Sequence, residues 1–292
     1  MERKEKTGLV MEGGAMRGLF SAGVADVFIE EGIEFDGLVG VSAGACFGCN
    51  VKSRQIGRTL RYNVKYCNDK RYCSFSNLLK TGDMFGVDFC YRQLPFELDV
   101  FDMKTFAEIP MEFYVVCTDV KTGKAIYKKC EKADEEDLTY FRASASMPLV
   151  STVVNAPDGS LLLDGGVSDS IPLEFFEKKG YSKNVVILTQ PRGYVKGKNK
   201  LMPLIRWNLR KYPEMVKAVA NRHLVYNAQT EYVYEAERQG RALVIAPEEK
   251  LPVGRVEHDP ENLKKTYELG RRAALSRLGK IKEFIGTKGL NP

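Results

Sequence analysis

Histidine and tryptophan are scarce in this chain of 292 residues, which has two histidines, His223 and His258, and one tryptophan. Both histidines lie in polar surroundings in the C-terminal third, so neither is a strong candidate for a catalytic base. No apolar run approaches the length of a membrane span, and the charged start MERKEKTG is not followed by the apolar segment of a signal peptide. We therefore expect a cytoplasmic protein, with peripheral contact to a membrane as an open option.

Cysteine is missing from the second half of the chain. The seven cysteines lie at positions 46, 49, 67, 73, 90, 117 and 130. Because the number is odd and no secretory signal is found, we expect reduced thiols. Cys46 and Cys49 have CxxC spacing, but no second pair or suitably spaced histidine accompanies them, so we expect no metal and no other cofactor.

Positive charge is unevenly spread, although the formal net charge is only +6. Residues 52–71 hold seven lysines and arginines against one acid, and residues 192–222 hold nine against one. Such stretches suit nucleic acid or anionic lipid, while solvated helix faces are the more common explanation. Since no nucleic-acid-binding motif accompanies them, we expect no nucleic-acid partner and leave open a contact with an anionic membrane surface.

Apolar periodicity predicts an α/β protein, and a hydrophobic content of 44% is ample for its core. The predicted strands are at residues 7–12, 35–41, 111–119, 124–128, 161–163, 184–189 and 243–246, and the predicted helices are at 17–31, 43–51 and 261–278. The strand–helix–strand–helix order at the start implies parallel strands. We expect one domain over residues 1–292, with a core at about 7–190 and helical or loop insertions at 52–106 and 192–238.

A Gly-x-Ser-x-Gly motif follows the second predicted strand. Gly40-Val41-Ser42-Ala43-Gly44 lies between that strand and a helix of small residues. A sharp strand-to-helix turn exposes the serine hydroxyl, the glycines leave room for the turn, and the helix N-terminus favours negative charge. Ser42 is the candidate nucleophile, with Gly40 and Gly44 supporting its turn.

A glycine loop, residues 13–18 (GGAMRG), follows the first strand and opens a helix. Backbone N–H groups in such a loop converge on an anion. A nucleotide-phosphate loop is the weaker explanation, because the spacing is not GxGxxG and no Gly-Lys-Ser/Thr ending is present. The loop is predicted to form an oxyanion hole, with Arg17 ordering or charging it.

Asp164 is the best candidate for the base. It ends the apolar run at 161–163 and begins the turn at Gly165 and Gly166. At that strand end the carboxylate is expected to point at the carboxyl edge of the sheet, where open α/β folds place their sites. The alternative is an aspartate that only caps a tight turn. The preceding leucines indicate a desolvated position, from which a carboxylate can accept a serine proton.

Together these motifs resemble the patatin-like phospholipase family. The resemblance rests on residues 13–18, 40–44 and 164–166 (DGG), in that order, and on residues 143–148 (ASASMP), which are similar to the A-S-x-x-x-P stretch of that family. It covers residues 7 to about 190. It implies a three-layer α/β/α fold around a mostly parallel sheet, and a serine hydrolase acting on acyl esters of lipids.

The resemblance also implies a dyad without histidine, in which Ser42 is the nucleophile and Asp164 the base. The oxyanion hole would be formed by the backbone amides of Gly13, Gly14 and Ala15. The family usually has a third glycine at the last of these positions, so Ala15 is expected to adopt a backbone conformation that alanine tolerates. The chain also has an aspartate at position 169, near a frequent asparagine of the family.

Several alternatives stay open. A conventional Ser-His-Asp esterase would use His223 or His258, although Ser42 comes earlier in the chain than the elbow of α/β-hydrolases. An acyltransferase would use the same residues as the dyad hydrolase, and a non-catalytic lipid-binding protein would keep only the fold. The segment 201–207 (LMPLIRW) is predicted to be either an interfacial or covering segment or an amphipathic helix docked on the core.

Overall fold

The computed structural model describes residues 5–286, in which eight strands form one sheet with helices on both faces. The strands are β1 (Lys6–Met11), β2 (Gly37–Val41), β3 (Glu112–Asp119), β4 (Ala125–Lys129), β5 (Val154–Asn155), β6 (Leu161–Asp164), β7 (Tyr181–Ile187) and β8 (Ala242–Ile245). The helices are α1 (Gly18–Glu30), α2 (Ala43–Lys52), α3 (Arg58–Tyr66), α4 (Phe75–Thr81), α5 (Met103–Glu108), α6 (Glu135–Ser144), α7 (Leu173–Lys178), α8 (Met202–Asn208), α9 (Pro213–Arg238), α10 (Pro260–Leu275) and α11 (Leu278–Ile285). Shorter helical turns are at Ala15–Arg17 and Gly165–Val167, and Phe89–Leu98 is π-helical.

Five neighbouring strands, in the order β3-β2-β1-β7-β8, run parallel. β4, β5 and β6 add antiparallel pairs at the β3 end of the sheet. The predicted α/β/α architecture with a mostly parallel sheet is therefore confirmed. β5 was not predicted, because two residues give no readable periodicity.

Asp164 ends β6 beside the carboxyl end of β2, as expected, but it reaches that edge from the direction opposite to the parallel strands. β6 is antiparallel to β3, and it lies on the same side of β3 as β2, because β4 occupies the other side. Val41 of β2 pairs with Val116, and Asp164 of β6 pairs with Cys117, the next residue of β3. β2 and β6 thus meet end to end, which brings Ser42 and Asp164 together from opposite directions.

Alternate residues of the central strands pack against different helix layers. Leu9 and Leu38 join α1, α2 and α10 on one face, while Val10 and Val39 join α7 and α9 on the other. All four side chains are fully buried. Burial on both faces explains why these strands are continuous apolar runs in the sequence.

The C-terminal region packs on the same core. β8 pairs with β7, as the late strand predicted, and α10 crosses α1. A Cβ atom on Gly270 would lie 1.9 Å from the Phe20 carbonyl oxygen, and one on Gly23 would lie 2.1 Å from that of Tyr267. The two helices therefore touch backbone to backbone. The single domain stays a prediction, which this shared packing supports.

Residues 52–106 and 192–238 contain helices and loops, as expected. Two cations of the first stretch are buried, however, which corrects the expectation of a solvated face for them. Arg58 donates to the carbonyl oxygen of Asp99 at 2.7 Å, and the Lys52 Nζ lies 4.4 Å from the ring centre of Phe106. Within residues 5–286, no helix combines the length and apolarity needed to cross a bilayer.

Candidate active site

Ser42 lies on a strained turn between β2 and α2, with φ +54° and ψ −122°. The turn depends on two close backbone contacts. A Cβ on Gly40 would lie 2.5 Å from the Cα of Ala45, and one on Gly44 would lie 2.3 Å from the Met11 carbonyl oxygen. A side chain at either glycine would push α2 away from the strand, so both positions require glycine.

Ser144, the last residue of α6, stabilises the turn by a hydrogen bond to its backbone. The Ser42 backbone N–H donates to Ser144 Oγ at 2.8 Å, and that hydroxyl donates to the Val116 carbonyl oxygen at 2.6 Å. Ser144 is fully buried. Ser144 belongs to the motif at residues 143–148, for which the sequence predicted no role. Its two hydrogen bonds identify it as a residue that positions the Ser42 turn.

Asp164 is 1% exposed. Its Oδ1 accepts the Gly166 N–H at 2.7 Å, while its buried Oδ2 has no hydrogen-bond partner among residues 5–286. Burial raises the pKa of this carboxyl, and Arg222, the Ser42 hydroxyl and the Gly166 N–H lower it. The Ser42 hydroxyl is thus a neighbour of the carboxyl without a hydrogen bond of standard geometry, which often forms only when substrate is bound.

The turn after Asp164 is tightly packed. A Cβ on Gly165 would lie 2.1 Å from the Val116 carbonyl oxygen, so this glycine also permits a close backbone approach. Asp169, where the family often has asparagine, accepts the Tyr127 hydroxyl at 2.7 Å and the Gln229 amide at 2.6 Å. Burial raises the pKa of Asp169.

The glycine loop lies against the serine turn. A Cβ on Gly13 would come within 3.0 Å of the Ser42 Cβ, and the N–H groups of Gly13, Gly14 and Ala15 donate to no acceptor within residues 5–286. Ala15 has φ +49°, in the left-handed region. The expectation of a conformation that alanine tolerates therefore holds only at a cost, which is about 1 kcal/mol for alanine.

Glu12 supports this loop from inside the protein. It is 2% exposed and accepts the Thr189 N–H at 2.6 Å and the Tyr226 hydroxyl at 2.9 Å. Burial raises its pKa, and the nearby Arg17 lowers it. The Arg17 Nε is buried without a partner in the described part of the chain.

Helix α9 contacts Glu12 below the glycine loop and the turn that follows Asp164, all from one face. The side chains that do so are Arg222, whose Nε donates to the Gly166 carbonyl oxygen, Tyr226, which donates to Glu12, and Gln229, which donates to Asp169 and accepts the Ser170 N–H. Their spacing of three and four residues is that of one helical stripe. The sequence marked this stretch as basic but did not indicate which side chains face the site.

A cavity of about 400 Å³ opens beside Ser42. Its wall is mostly apolar and includes Phe47, Tyr62, Tyr91 and Leu94. Cys46 also lines it, but burial raises the pKa of this thiol to about 12, so it is not a nucleophile near neutral pH. The volume and the apolar wall suit an acyl chain.

The two histidines lie elsewhere. His223 Nδ1 contacts the Ala220 carbonyl oxygen of its own helix at 3.1 Å, and His258 Nδ1 contacts that of Cys67 at 2.6 Å. Neither lines the cavity beside Ser42. Across residues 5–286, no group of three or more histidine, cysteine or acidic side chains has the arrangement of a metal site.

Helix α8, which overlaps the segment 201–207, is docked on the core by one side only. Ile205 and Leu209 are buried against Val219 of α9, whereas Leu204 and Trp207 are 50% and 66% exposed. The segment is thus an amphipathic helix docked on the core with apolar residues on its outer face, and its role as an interfacial or covering segment stays a prediction.

Comparison with known proteins extends this description. A family model described as patatin-like phospholipase matches residues 9–176, and one described as a domain of unknown function (DUF6363) matches residues 212–286. The uncharacterized protein YjjU of Escherichia coli is 25% identical, over 94% of this chain and 78% of its own length.

Two longer relatives carry functional names. Neuropathy target esterase sws of Drosophila melanogaster is 24% identical over 62% of this chain, and lysophospholipase nte1 of Aspergillus niger is 27% identical over 61%. The alignments cover only 12% and 11% of those proteins. Among solved structures, VipD from Legionella pneumophila is similar with a TM-score of 0.48 and 12% identity, over 94% of this chain and 67% of that one.

Proposed function

The chain belongs to the patatin-like phospholipase family, and from that premise we propose that it is a serine acyl hydrolase with a Ser42–Asp164 dyad. Family membership implies hydrolysis of lipid esters. The proposal rests above all on one observation. A serine on a strained turn and a buried aspartate with a free oxygen atom meet at the abutting ends of two strands, beside an apolar cavity.

In the proposed reaction, Ser42 Oγ attacks the ester carbonyl carbon while Asp164 takes its proton. The N–H groups of Gly13, Gly14 and Ala15 stabilise the oxyanion, each donor contributing about 3 kcal/mol. The tetrahedral intermediate collapses as the carbon–oxygen bond to the alcohol breaks and the alcohol takes the proton from the aspartic acid. Water, deprotonated by Asp164, then attacks the acyl carbon, and Ser42 Oγ regains the proton from the aspartic acid as the bond to the fatty acid breaks.

The roles of the neighbouring residues follow from this scheme. Arg17 adds positive charge behind the loop, and the glycines at 40, 44, 165 and 166 permit the close packing of the two turns. Burial raises the pKa of Asp164, which makes this carboxylate a stronger base than an exposed aspartate.

The dyad is tested by hydrolysis of a p-nitrophenyl acyl-ester series. We expect Ser42→Ala and Asp164→Asn to lower kcat/KM by about 1,000-fold or more, with an unchanged circular dichroism spectrum. The matched control is the double variant His223→Ala/His258→Ala, which we expect to keep wild-type activity.

If the double histidine variant loses ester hydrolysis while Asp164→Asn keeps it, the Ser-His-Asp alternative is correct instead. Adding glycerol to the same assay separates hydrolysis from acyl transfer, because transfer yields a new ester in place of free acid. If the wild type hydrolyses no ester and a fluorophosphonate fails to label Ser42, the proposal that this protein is a serine hydrolase is wrong.

We also propose that the outer face of α8 binds an anionic membrane surface. Leu204 and Trp207 are exposed there, and Arg206 and Arg210 lie on the same short segment. Apolar side chains flanked by cations are typical of interfacial helices. Peripheral binding of this kind agrees with the cytoplasmic location that the sequence predicts.

Because Trp207 is the only tryptophan, its fluorescence reports this contact directly. We expect its emission to shift to the blue with phosphatidylglycerol vesicles and much less with phosphatidylcholine vesicles. Leu204→Glu should abolish the shift, and Leu275→Glu, at a similarly exposed leucine of α10, should not. A shift that is independent of anionic lipid and of Leu204 would contradict the proposal.

A further inference from the structure

Arginines in the cavity wall fall into two kinds. Two of the four are paired with aspartates: Arg58 with Asp99, and Arg142 with Asp83. The other two, Arg222 and Arg255, make no ion pair among residues 5–286. An apolar cavity with two unpaired guanidinium groups at its wall is poorly explained by acyl-chain binding alone.

Arg222 is fixed so that its charged end stays available. Its Nε donates to the Gly166 carbonyl oxygen, and within the described residues its two terminal nitrogens make no hydrogen bond. A Cβ on Gly166 would lie 3.1 Å from Nη2, so the guanidinium lies directly over the turn that follows Asp164. Arg255, in the exposed loop before α10, is close enough to Asp164 to lower its pKa as well.

A third cation, Lys196, lies over the ring of Tyr226, one helical turn along α9 from Arg222. The backbone of Lys196 is held by Asn227 through two hydrogen bonds, of 2.8 and 3.1 Å, and its Nζ lies 4.0 Å from the ring centre of Tyr226. It makes no ion pair in the part of the chain that the structure describes. Burial, and then the charge of Arg222, lowers the pKa of Lys196 to about 8.

The charges around the dyad do not balance. These three cations and Arg17 influence one another and face two carboxylates, Glu12 and Asp164. The four cations therefore exceed the two carboxylates by two charges, which a phosphate group would balance.

We propose that Arg222, Arg255 and Lys196 form a phosphate subsite beside the dyad. It would select acyl glycerolipids whose phosphate carries no cationic substituent, over neutral glycerides and over choline phospholipids. This inference rests on the proposed hydrolysis at Ser42. Among residues 5–286, the acid that lines the cavity is Asp83, which is paired with Arg142, so no free carboxylate of these residues in the wall could hold a choline group.

The test compares three esters with the same octanoyl chain, all below their micelle concentrations: monoacylglycerol, its 3-phosphate and the corresponding phosphocholine ester. The readout is the ratio of kcat/KM between phosphate and neutral ester, which cancels general effects on the chemistry. We expect this ratio to fall about 10-fold or more in Arg255→Gln, because a hydrogen bond to a charged group is lost. Arg222→Gln should lower it too.

The matched control is Lys217→Gln, an exposed cation of α9 whose side chain is 71% accessible, which should leave the ratio unchanged. Arg255 makes no hydrogen bond within residues 5–286, so we expect the Arg255→Gln variant to fold like the wild type. Equal turnover of all three esters by the wild type, or a preference for the phosphocholine ester, would overturn the subsite. An equal loss in the Lys217 control would do the same.

A binding measurement keeps the two proposals separable. Titration calorimetry on Ser42→Ala with octyl ether analogues needs no turnover, so it decides the subsite even if the wild type hydrolyses nothing. The phosphate ether should bind about 10-fold or more tightly than the neutral ether, and Arg255→Gln should remove this difference. Equal binding would overturn the subsite. If inorganic phosphate binds as tightly as the phosphate ether, the lipid assignment is wrong and the ligand is the free ion.

Discussion

Residues 9–176, which match the patatin-like family model, and the C-terminal region at residues 212–286 contribute to the site in different ways. Residues of the first segment hold the reacting groups through backbone geometry, with left-handed conformations at Ser42 and Ala15. The second region reaches the same groups through side chains of one helix, which are Arg222, Tyr226 and Gln229. The serine turn and the glycine loop thus depend on backbone geometry, whereas α9 acts on the site through side-chain hydrogen bonds and the charge of Arg222. Substitutions at the two turns should mainly disturb geometry and stability, and replacement of Arg222 should mainly change charge.

The largest effect is expected at the glycine contacts of the first region. Gly44→Ala would place a Cβ 2.3 Å from a backbone oxygen that cannot move aside, so we expect a loss of about 3 kcal/mol or more in the free energy of unfolding. Gly279→Ala in α11, where a Cβ meets open space, is the matched control and should stabilise slightly. Urea denaturation measures the free energy of unfolding of both variants. Equal values would contradict the role assigned to the glycine contacts.

A somewhat smaller loss is expected at Ser144. Ser144→Ala leaves the Ser42 N–H and the Val116 carbonyl group buried without partners, which costs about 2–3 kcal/mol. Activity should fall as well, because the nucleophile turn loses its support. Ser146→Ala removes only a bond from Oγ to the Arg142 carbonyl oxygen of the preceding helix, and its effect should be clearly smaller. Thermal denaturation and ester hydrolysis of both variants would detect the difference.

In the second region, Arg222→Gln should change the pH profile more than the stability. Asp164 must be ionised to accept a proton, so kcat/KM falls as the pH drops through its pKa. Arg222 lowers that pKa, and its removal should move the acidic limb to higher pH. The profile is measured with a neutral p-nitrophenyl ester. An acidic limb that stays in place would show that the guanidinium does not act on the base.

The smallest effect is expected at Ala15. Ala15→Gly relieves a left-handed conformation but increases the freedom of the unfolded chain, so the free energy of unfolding should change by less than about 1 kcal/mol. The same replacement at Ala25, buried within α1, should cost about 1 kcal/mol or more. Differential scanning calorimetry of the two variants compares them. Equal losses would mean that the loop conformation carries no strain.

Much of the fold could be predicted because the central strands are buried on both sides and the glycine turns have clear local signatures. The strand containing Asp164 was recognised, yet its direction was not, since strand pairing depends on contacts between β3 and β6 more than forty residues apart. The helix predicted at 261–278 ends at Leu275, because local periodicity continues from α10 into α11.

The contributions of α9 could not be predicted for a related physical reason. Arg222 and Gln229 lie among many other polar side chains, and only the packing of α9 against the sheet decides which of them face inward. Ser144 lies in a recognisable motif, but its partner could not be predicted, because the Ser42 N–H that donates to its hydroxyl lies 102 residues away in the sequence. The roles assigned to Ser42 and Asp164 stay predictions that the proposed variants test.

The shared use of β3 by β2 and β6 sets a rule for how this chain tolerates length changes. Side chains alternate between sheet faces with a period of two, so one residue inserted within β6 would turn Asp164 to the opposite face and abolish the dyad. The same insertion at Gly159, in the exposed turn before β6, would leave the register untouched. Two neighbouring residues of one strand, Val116 and Cys117, thus set the distance between nucleophile and base, and an insertion in the turn before β6 leaves that distance unchanged.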